Sequence, residues 1–214
     1  MTRVAATTFE PRKAPVQARS AATVEAVFEA TIQVLLSDGV ERLTTTRVAE
    51  RAGVSVGTLY QYYPNKQALL FAILERHMNK VSEAVETACL QAHGKPLAEM
   101  VQDVVEAFVD AKMQRTDIST ALYRIAADVD GPALVRRSAL RSQIAFGTAL
   151  ATAPDVVLRQ ETFLVQMLFS AMSGATRSVL EAGASRAMVR NLRDHLVMLC
   201  QSYLATATQA RSRR

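Results

Sequence analysis

The residues with the clearest chemical signature lie between Leu43 and Lys66, where hydroxyl, amide and ammonium groups surround a glycine. Thr44 is placed to cap one short helix, and Ser55 is placed to cap the next. Gly53 lies between these helices, where a left-handed backbone would strain a β-branched residue. Hydroxyl and ammonium groups at helix starts suit phosphate oxygens, so this stretch favours binding to duplex nucleic acid.

The helix after the glycine is predicted to have an apolar underside and a polar outer side. Leu59 anchors it inward. The outer side carries Val56, Gly57, Thr58, Gln61 and Tyr62. A recognition helix in a major groove has this construction, because small and hydrogen-bonding side chains must reach the base edges. Short helices joined by a glycine turn also occur in proteins that never bind DNA.

Recurrent catalytic motifs are missing from the sequence, which has no HExxH, no glycine-rich phosphate loop and no GxSxG. The histidines, His77, His93 and His195, are dispersed. Cys89 and Cys200 are far apart and are expected to be free thiols. We therefore expect a protein that is not an enzyme, with no catalytic residues, no cofactor and no metal site.

The pattern along the chain predicts an all-α fold of about nine helices. Strand-like alternation is scarce, and glycines and prolines fall at intervals that suit helices. The predicted helices span about 21–37, 45–52, 56–63, 66–92, 96–114, 118–127, 133–151, 155–182 and 186–207. We predict a flexible basic arm over 1–18, a helix-turn-helix domain over 19–65 and a larger helical domain over 66–214.

The formal charge of +5 favours an anionic partner. Arg12, Lys13 and Arg19 of the arm could reach phosphates or a minor groove, although a solvated tail explains them equally well. No apolar run approaches the roughly 18 residues of a membrane span. The N-terminus has no apolar signal core, so we expect a cytoplasmic protein without a membrane partner.

The stretch LTTTRVAERAGVSVGTLYQYYPNKQALL resembles the pattern TTxxxVAxxAGVSxGTLYxYFxxKxxL of the TetR, or tetracycline-repressor-like, family. The likeness covers about Ala21 to Leu74, and Tyr63 departs from it where phenylalanine is more usual. It implies a dimeric, all-helical repressor with an N-terminal helix-turn-helix. It also implies that the large domain binds a small effector and that the long helix from Lys66 acts as a lever.

The resemblance also assigns expected contacts with double-stranded operator DNA. Phosphates would be contacted by Thr45, Thr46, Tyr62 and Lys66. The major groove would be faced by Ser55, Val56, Gly57, Thr58 and Gln61, with Tyr60 at its backbone edge. Gln61 is a plausible reader of adenine, because its amide both donates and accepts.

Apolar stripes on the last two helices favour a homodimer with two-fold symmetry. The candidate interface residues are Phe163, Met167, Ala171, Gly174, Met188, Leu192, Leu196, Leu199 and Tyr203. The same stripes could instead form the core of a single chain. A partner is expected because one chain supplies one recognition helix, whereas a palindromic operator needs two.

An effector pocket is expected among the helices of the large domain, where large and adaptable side chains are common. The candidate residues are Met100, Phe108, Met113, Tyr123, Arg124, Gln143, Phe146, Met167 and Arg177. Each apolar member is individually more typical of plain core. Two alternatives to a repressor stay open at this point: an activator with the same DNA-binding head, and a helical adaptor that binds a protein.

Overall fold

The structure is a computed structural model that describes residues 18–126, 129–157 and 161–210. Within these ranges it contains nine helices, which confirms the predicted all-α fold. The helices are α1 (Ala18–Arg42), α2 (Thr45–Ala52), α3 (Val56–Tyr62), α4 (Lys66–Gln91), α5 (Leu97–Met113), α6 (Thr116–Ile125), α7 (Gly131–Leu150), α8 (Glu161–Glu181) and α9 (Arg186–Ala207). None of these described helices is long and apolar enough to cross a membrane.

The helix predicted over 155–182 is wrong at its beginning, because α8 starts only at Glu161. Val156–Val157 instead form a short strand, β1, which pairs antiparallel with β2 (Gln209–Ala210) after the last helix. Their partners lie far away in the sequence, so local periodicity could not reveal the pairing. The first helix was predicted over about 21–37, whereas α1 continues to Arg42 and is interrupted at Gly39, which has φ 79° and ψ 168°.

The chain divides into two compact units, which are described separately. Of the described residues, one unit contains 18–77, 121–126 and 129–133, and the other contains 78–120, 134–157 and 161–210. The predicted functional boundary between residues 65 and 66 stays a prediction.

In the first unit, α2 and α3 form a tight helix-turn-helix whose ends are fixed by local hydrogen bonds. The Thr44 side chain accepts a hydrogen bond from the backbone N–H of Arg47 at 3.3 Å. Gly53 ends α2 in the left-handed conformation, with φ 67° and ψ 28°. The N–H of Val54 donates to the carbonyl of Ala49 at 3.0 Å and completes the turn.

The beginning of α4 is tied to α1 by a charged and aromatic cluster in the same unit. The Arg76 guanidinium donates two hydrogen bonds to the Glu25 carboxylate, at 2.6 and 2.8 Å. It also lies 4.8 Å from the centre of the Phe28 ring, which makes an edge-to-face contact with Tyr63. Burial raises the pKa of Tyr63 to about 12, so its hydroxyl stays neutral.

The second unit has a continuous apolar core. Phe169 of α8 is its aromatic centre, with edge-to-face contacts to Phe108 of α5 at 6.2 Å and to Phe146 of α7 at 6.1 Å between ring centres. Helix α9 packs against α5 and α8. It adds Leu196 and Cys200 to this core.

Substitution of the glycine in the turn should destabilise the chain through backbone strain and not through a steric clash. Gly53→Ala should lower the free energy of unfolding by about 1 kcal/mol, because an L-residue at φ 67° is strained although nothing lies within 4 Å of its new Cβ. Gly57→Ala is the matched control inside α3, where the new Cβ would meet only Ser55 Oγ at 3.8 Å. We expect the free energy of unfolding of that variant to rise by about 0.5 kcal/mol. Urea unfolding followed by far-UV circular dichroism measures both changes. Equal effects at both positions would contradict this explanation.

Candidate functional site

The beginning of α2 presents two threonine hydroxyl groups near the surface of the first unit. Thr46 is exposed, and Thr45 is half-buried. The Thr45 Oγ1 lies 3.1 Å from the hydroxyl of Tyr60, whose side chain is 41% exposed at the surface of α3. This contact holds the Tyr60 ring beside the start of α2. Thr45 and Tyr60, which were both predicted to contact the DNA backbone, therefore lie together.

Helix α3 begins with a hydroxyl pair. Ser55 Oγ accepts a hydrogen bond from the N–H of Thr58 at 3.0 Å and lies 2.8 Å from Thr58 Oγ1. This is the cap predicted from the sequence. The cap engages both hydroxyls within the free chain, so either group must exchange this bond in order to contact another molecule.

The outward side of α3 carries its smallest and most adaptable residues. Gly57 and Gln61 are exposed, Val56 is half-buried, and Leu59 is fully buried beneath them. The predicted orientation of the helix is therefore confirmed for Leu59. The exposed surface offers the amide group of Gln61 beside Gly57. Because Gly57 has no side chain, another molecule can approach the backbone of α3 closely there.

Tyr62 and Lys66 both reach back to α1. The hydroxyl of Tyr62 donates to Ser20 Oγ at 3.2 Å. The ammonium of Lys66 donates to the carbonyl of Val40 at 2.5 Å. Val40 lies near the C-terminus of α1, where the helix dipole stabilises a positive charge. The sequence did not indicate this second contact, because Val40 and Lys66 are distant in the chain. Lys66 thus contributes to the structure of the unit, whatever else it binds.

Two arginines on α2 extend the polar surface beyond the predicted residues. Arg47 pairs with Asp38 at 2.7 Å, and Arg51 donates to Gln33 at 3.3 Å. A hydrogen bond from Ser37, followed by the charge of Arg47, holds the pKa of Asp38 below its usual value. Arg47 and Arg51 are four residues apart and so lie on the same side of α2. This spacing was the sequence signal that could have identified them. Arg12 and Lys13 of the predicted arm, and the side chain of Arg19, lie outside the described residues.

Comparison with protein families matches both parts of the chain. Residues 27–73 match "Bacterial regulatory proteins, tetR family", and residues 96–204 match "Tetracyclin repressor-like, C-terminal domain". The second match alone covers half of the chain. The chain belongs to the TetR family. The resemblance drawn from the motif around Gly53 is thereby confirmed.

Individual relatives agree with this assignment. A stretch of 70 residues is 39% identical to the "HTH-type transcriptional repressor KstR" of Mycolicibacterium smegmatis, and the match spans 33% of this chain and 34% of that protein. This chain thus matches about a third of the length of that curated relative. A structure of a TetR-family regulator from Mesorhizobium loti superposes with a TM-score of 0.71 at 15% identity, covering 89% of this chain and 98% of the other. LfrR of Mycobacterium smegmatis, solved with proflavine, gives a TM-score of 0.58 at 20% identity, covering 88% and 98%.

In this TetR-family chain, the residues predicted to line an effector pocket occupy different environments. Met100, Phe108 and Phe146 are buried in the core of the second unit. Met113 and Gln143 are half-buried there, whereas Met167 and Arg177 are exposed on α8. Tyr123 and Arg124 belong to the first unit. Arg177 pairs with Glu181 at 2.7 Å. Within the second unit, the structure brings Met100, Phe108 and Phe146 together in one apolar cluster, and Met113 packs against it.

The residues predicted for a dimer interface also separate into two groups. Phe163, Met167, Gly174 and Leu199 are exposed, and Ala171, Met188 and Tyr203 are half-buried. Leu192 and Leu196 instead belong to the core of the chain itself, at 7% and 3% exposure. An apolar stripe does not show which of its sides faces a partner, so the assignment of these residues to a dimer interface stays a prediction.

The second unit contains a buried lysine that the sequence reading missed. Lys112 of α5 is only 5% exposed. Lys112 continues the apolar stripe of Val101, Val105 and Phe108 on α5. This periodicity was the sequence signal that could have predicted its burial. Burial lowers the pKa of its ammonium group to about 8 from 10.5.

This pKa predicts how stability depends on pH. Below about pH 8 both the folded and the unfolded chain hold the proton, so the folded state carries the full cost of the buried charge. Between pH 8 and 10.5 the folded chain releases it first. The free energy of unfolding of the wild type should therefore rise relative to that of Lys112→Met, by up to about 3 kcal/mol across this window. Urea unfolding at several pH values measures the difference, and a difference that falls or stays constant would contradict the assignment.

Proposed function

We propose that this TetR-family chain is a ligand-responsive transcriptional repressor. It binds a palindromic operator in double-stranded DNA as a homodimer, and a small, largely apolar effector releases it. It acts in the cytoplasm, where bacterial DNA lies, and it is not an enzyme. The observation that carries the proposal is the outer side of α3, where exposed Gly57 and Gln61 stand above the buried Leu59.

Base reading is assigned to the outward residues of α3. Gln61 can form two hydrogen bonds with adenine, because its amide both donates and accepts. Val56 offers methyl groups to a thymine methyl, and Gly57 allows the backbone to approach the groove closely. Ser55 and Thr58 would exchange their mutual 2.8 Å contact for polar groups of the groove.

Phosphate contacts are assigned to residues around this reading surface. Thr45, Thr46 and Tyr60 lie at the start of α2 and on the neighbouring surface of α3, within one unit. Tyr62 and Lys66 have partners on α1, so their contacts with phosphate would add to, or replace, these hydrogen bonds. Such contacts position a protein on DNA without reading sequence.

The homodimer is supported by the exposed apolar surface of the last two helices. Phe163 is 60% and Met167 is 44% exposed on α8, while Met198 is 56% and Leu199 is 48% exposed on α9. Helices α8 and α9 pack against each other. Gly174 continues the exposed side of α8 and leaves space for a helix of a second copy. A pair of chains would supply the two recognition helices that a palindrome requires.

Ligand response is supported by the match of residues 96–204 to the C-terminal domain of tetracycline-repressor-like proteins. LfrR, which has this fold, was solved in complex with proflavine. An effector that favours one arrangement of the two recognition helices lowers operator affinity by shifting populations. An adaptor that binds only a protein would show no preference for any DNA sequence, and an activator would raise transcription from its operator.

Two substitutions test the assigned division between base and phosphate contacts. Gln61→Ala should weaken binding to the preferred duplex by about 1–3 kcal/mol and relax the preference at one position, while leaving the salt dependence unchanged. Lys66→Ala should weaken binding to preferred and random duplexes alike, and flatten the salt dependence by about one unit of slope. Fluorescence anisotropy at several salt concentrations measures both effects.

Lys66→Arg is the matched control, because it keeps the positive charge while changing the group beside Val40. It should retain the salt slope of the wild type. If Lys66→Ala altered sequence preference and left the slope unchanged, the assigned roles would be wrong. Far-UV circular dichroism should confirm that each variant is folded.

The dimer interface is tested by placing a charge on the exposed apolar surface. Phe163→Glu combined with Met167→Glu should yield monomers in sedimentation equilibrium at micromolar concentration, because burying two carboxylates between chains is costly. Leu90→Glu is the control, since Leu90 of α4 is also exposed, at 71%. A double variant that stays dimeric, or a control that dissociates equally, would contradict the assigned interface.

A further inference from the structure

A groove lies between α1 and α2 at the surface of the first unit. Its volume is about 440 Å³, and it is lined by Val34, Asp38, Arg47, Glu50 and Arg51. Val34 is only 2% exposed and supplies an apolar surface. The four other residues carry two positive and two negative charges, so the groove is balanced in charge within a basic chain.

The contacts of α2 separate this groove from the side of α2 that meets α3. Thr45 Oγ1 lies 3.1 Å from the hydroxyl of Tyr60 on α3. Arg47 instead pairs with Asp38 of α1 at 2.7 Å. Successive residues of a helix are about 100° apart, so Thr45 and Arg47 point to opposite sides of α2. A duplex that contacts the outer side of α3 therefore leaves this groove open to a different partner.

Two charged groups of the groove can meet a partner. Glu50 is exposed, and its carboxylate has no partner within residues 18–126, 129–157 and 161–210. Arg51 is also exposed, and its hydrogen bond to the neutral side chain of Gln33, at 3.3 Å, uses one of its five N–H groups. The carboxylates of Asp38 and Glu50 repel phosphate. The groove therefore suits a protein surface that carries both charges better than it suits DNA.

We propose that this groove is the contact between two copies of the chain whose dimers are bound side by side on one duplex. The inference rests on the DNA binding stated under the proposed function. Glu50 and Arg51 are adjacent and opposite in charge. A two-fold axis beside α2 places Glu50 of each copy against Arg51 of the other. The surface thus complements itself in charge, as a symmetric contact between identical chains requires.

The composition of this surface fits a contact that forms only on DNA. Its apolar part is small, because Val34 is buried and Leu36, two residues later on α1, is 41% exposed. Exposed ion pairs hold two proteins together weakly. Binding to one duplex raises the effective concentration of one dimer beside another, so a weak contact becomes significant there. The expected result is cooperative binding to neighbouring sites.

The test uses duplexes that carry one or two copies of the preferred inverted repeat, with base pairs added one at a time between the copies. The full chain is titrated onto each duplex, and electrophoretic mobility separates the singly and doubly bound forms. At one spacing the second dimer should bind at least about fivefold more tightly than to a lone repeat. The advantage should recur about 10–10.5 base pairs later. Independent binding at every spacing would overturn this inference alone, whereas binding to no duplex would overturn the proposed function as well.

Charge reversals test whether Glu50 and Arg51 form the contact. Glu50→Arg and Arg51→Glu each place like charges opposite one another, so either variant should lose the cooperativity. The double variant restores opposite charges in exchanged positions and should regain it. A structural role of either residue would not produce this recovery. Cooperativity that survives both single reversals, or that stays lost in the double variant, would overturn the assignment.

Glu41→Arg is the matched control, because Glu41 is an exposed acid of α1 that does not line the groove. It changes the net charge as Glu50→Arg does, and it should keep the cooperativity. On a duplex with a single repeat, Glu50→Arg should bind with the same affinity as this control, since the groove does not contact that duplex. Tighter binding by Glu50→Arg than by the control would show that the groove contacts phosphate, and it would overturn the proposal.

Discussion

The left-handed turn at Gly53 is the constraint on which the proposed DNA-binding surface depends. It ends α2, allows the N–H of Val54 to bond back to Ala49, and starts α3 at once with the cap of Ser55. The angle between these helices buries Leu59, which leaves Gly57 and Gln61 on the outside. A strained turn would move every outward group of α3 together. The chemistry of the surface is therefore set by a backbone conformation that carries no functional group itself.

The features predictable from sequence were those determined by neighbouring residues. The bounds of α2 and α9, the caps at Thr44 and Ser55, and the left-handed glycine all follow from local patterns. Local patterns did not indicate the features that distant residues decide. The strand at Val156 pairs with residues beyond α9, and Lys66 bonds to a carbonyl of α1. A stripe of apolar residues also could not show that Leu196 faces its own chain.

The two units handle charge differently. In the first, Arg76 combines two hydrogen bonds to Glu25 with an aromatic face, so its charge is neutralised near the surface. In the second, Lys112 is buried at a cost that its lowered pKa records. The first arrangement explains how α4 is held against α1, whereas the second costs the folded chain stability while Lys112 is protonated.

Sequence selection tests the central claim, that α3 reads DNA, most directly. The purified full chain is incubated with random-sequence duplexes, and the bound fraction is amplified and sequenced over several rounds. Our account predicts enrichment of an inverted repeat whose halves lie about one helical turn, or a multiple of it, apart. In the same selection, the Gln61→Ala variant should lose the base preference at one symmetric pair of positions in the repeat. Enrichment of no sequence, or of the same repeat with unchanged preferences in Gln61→Ala, would contradict it.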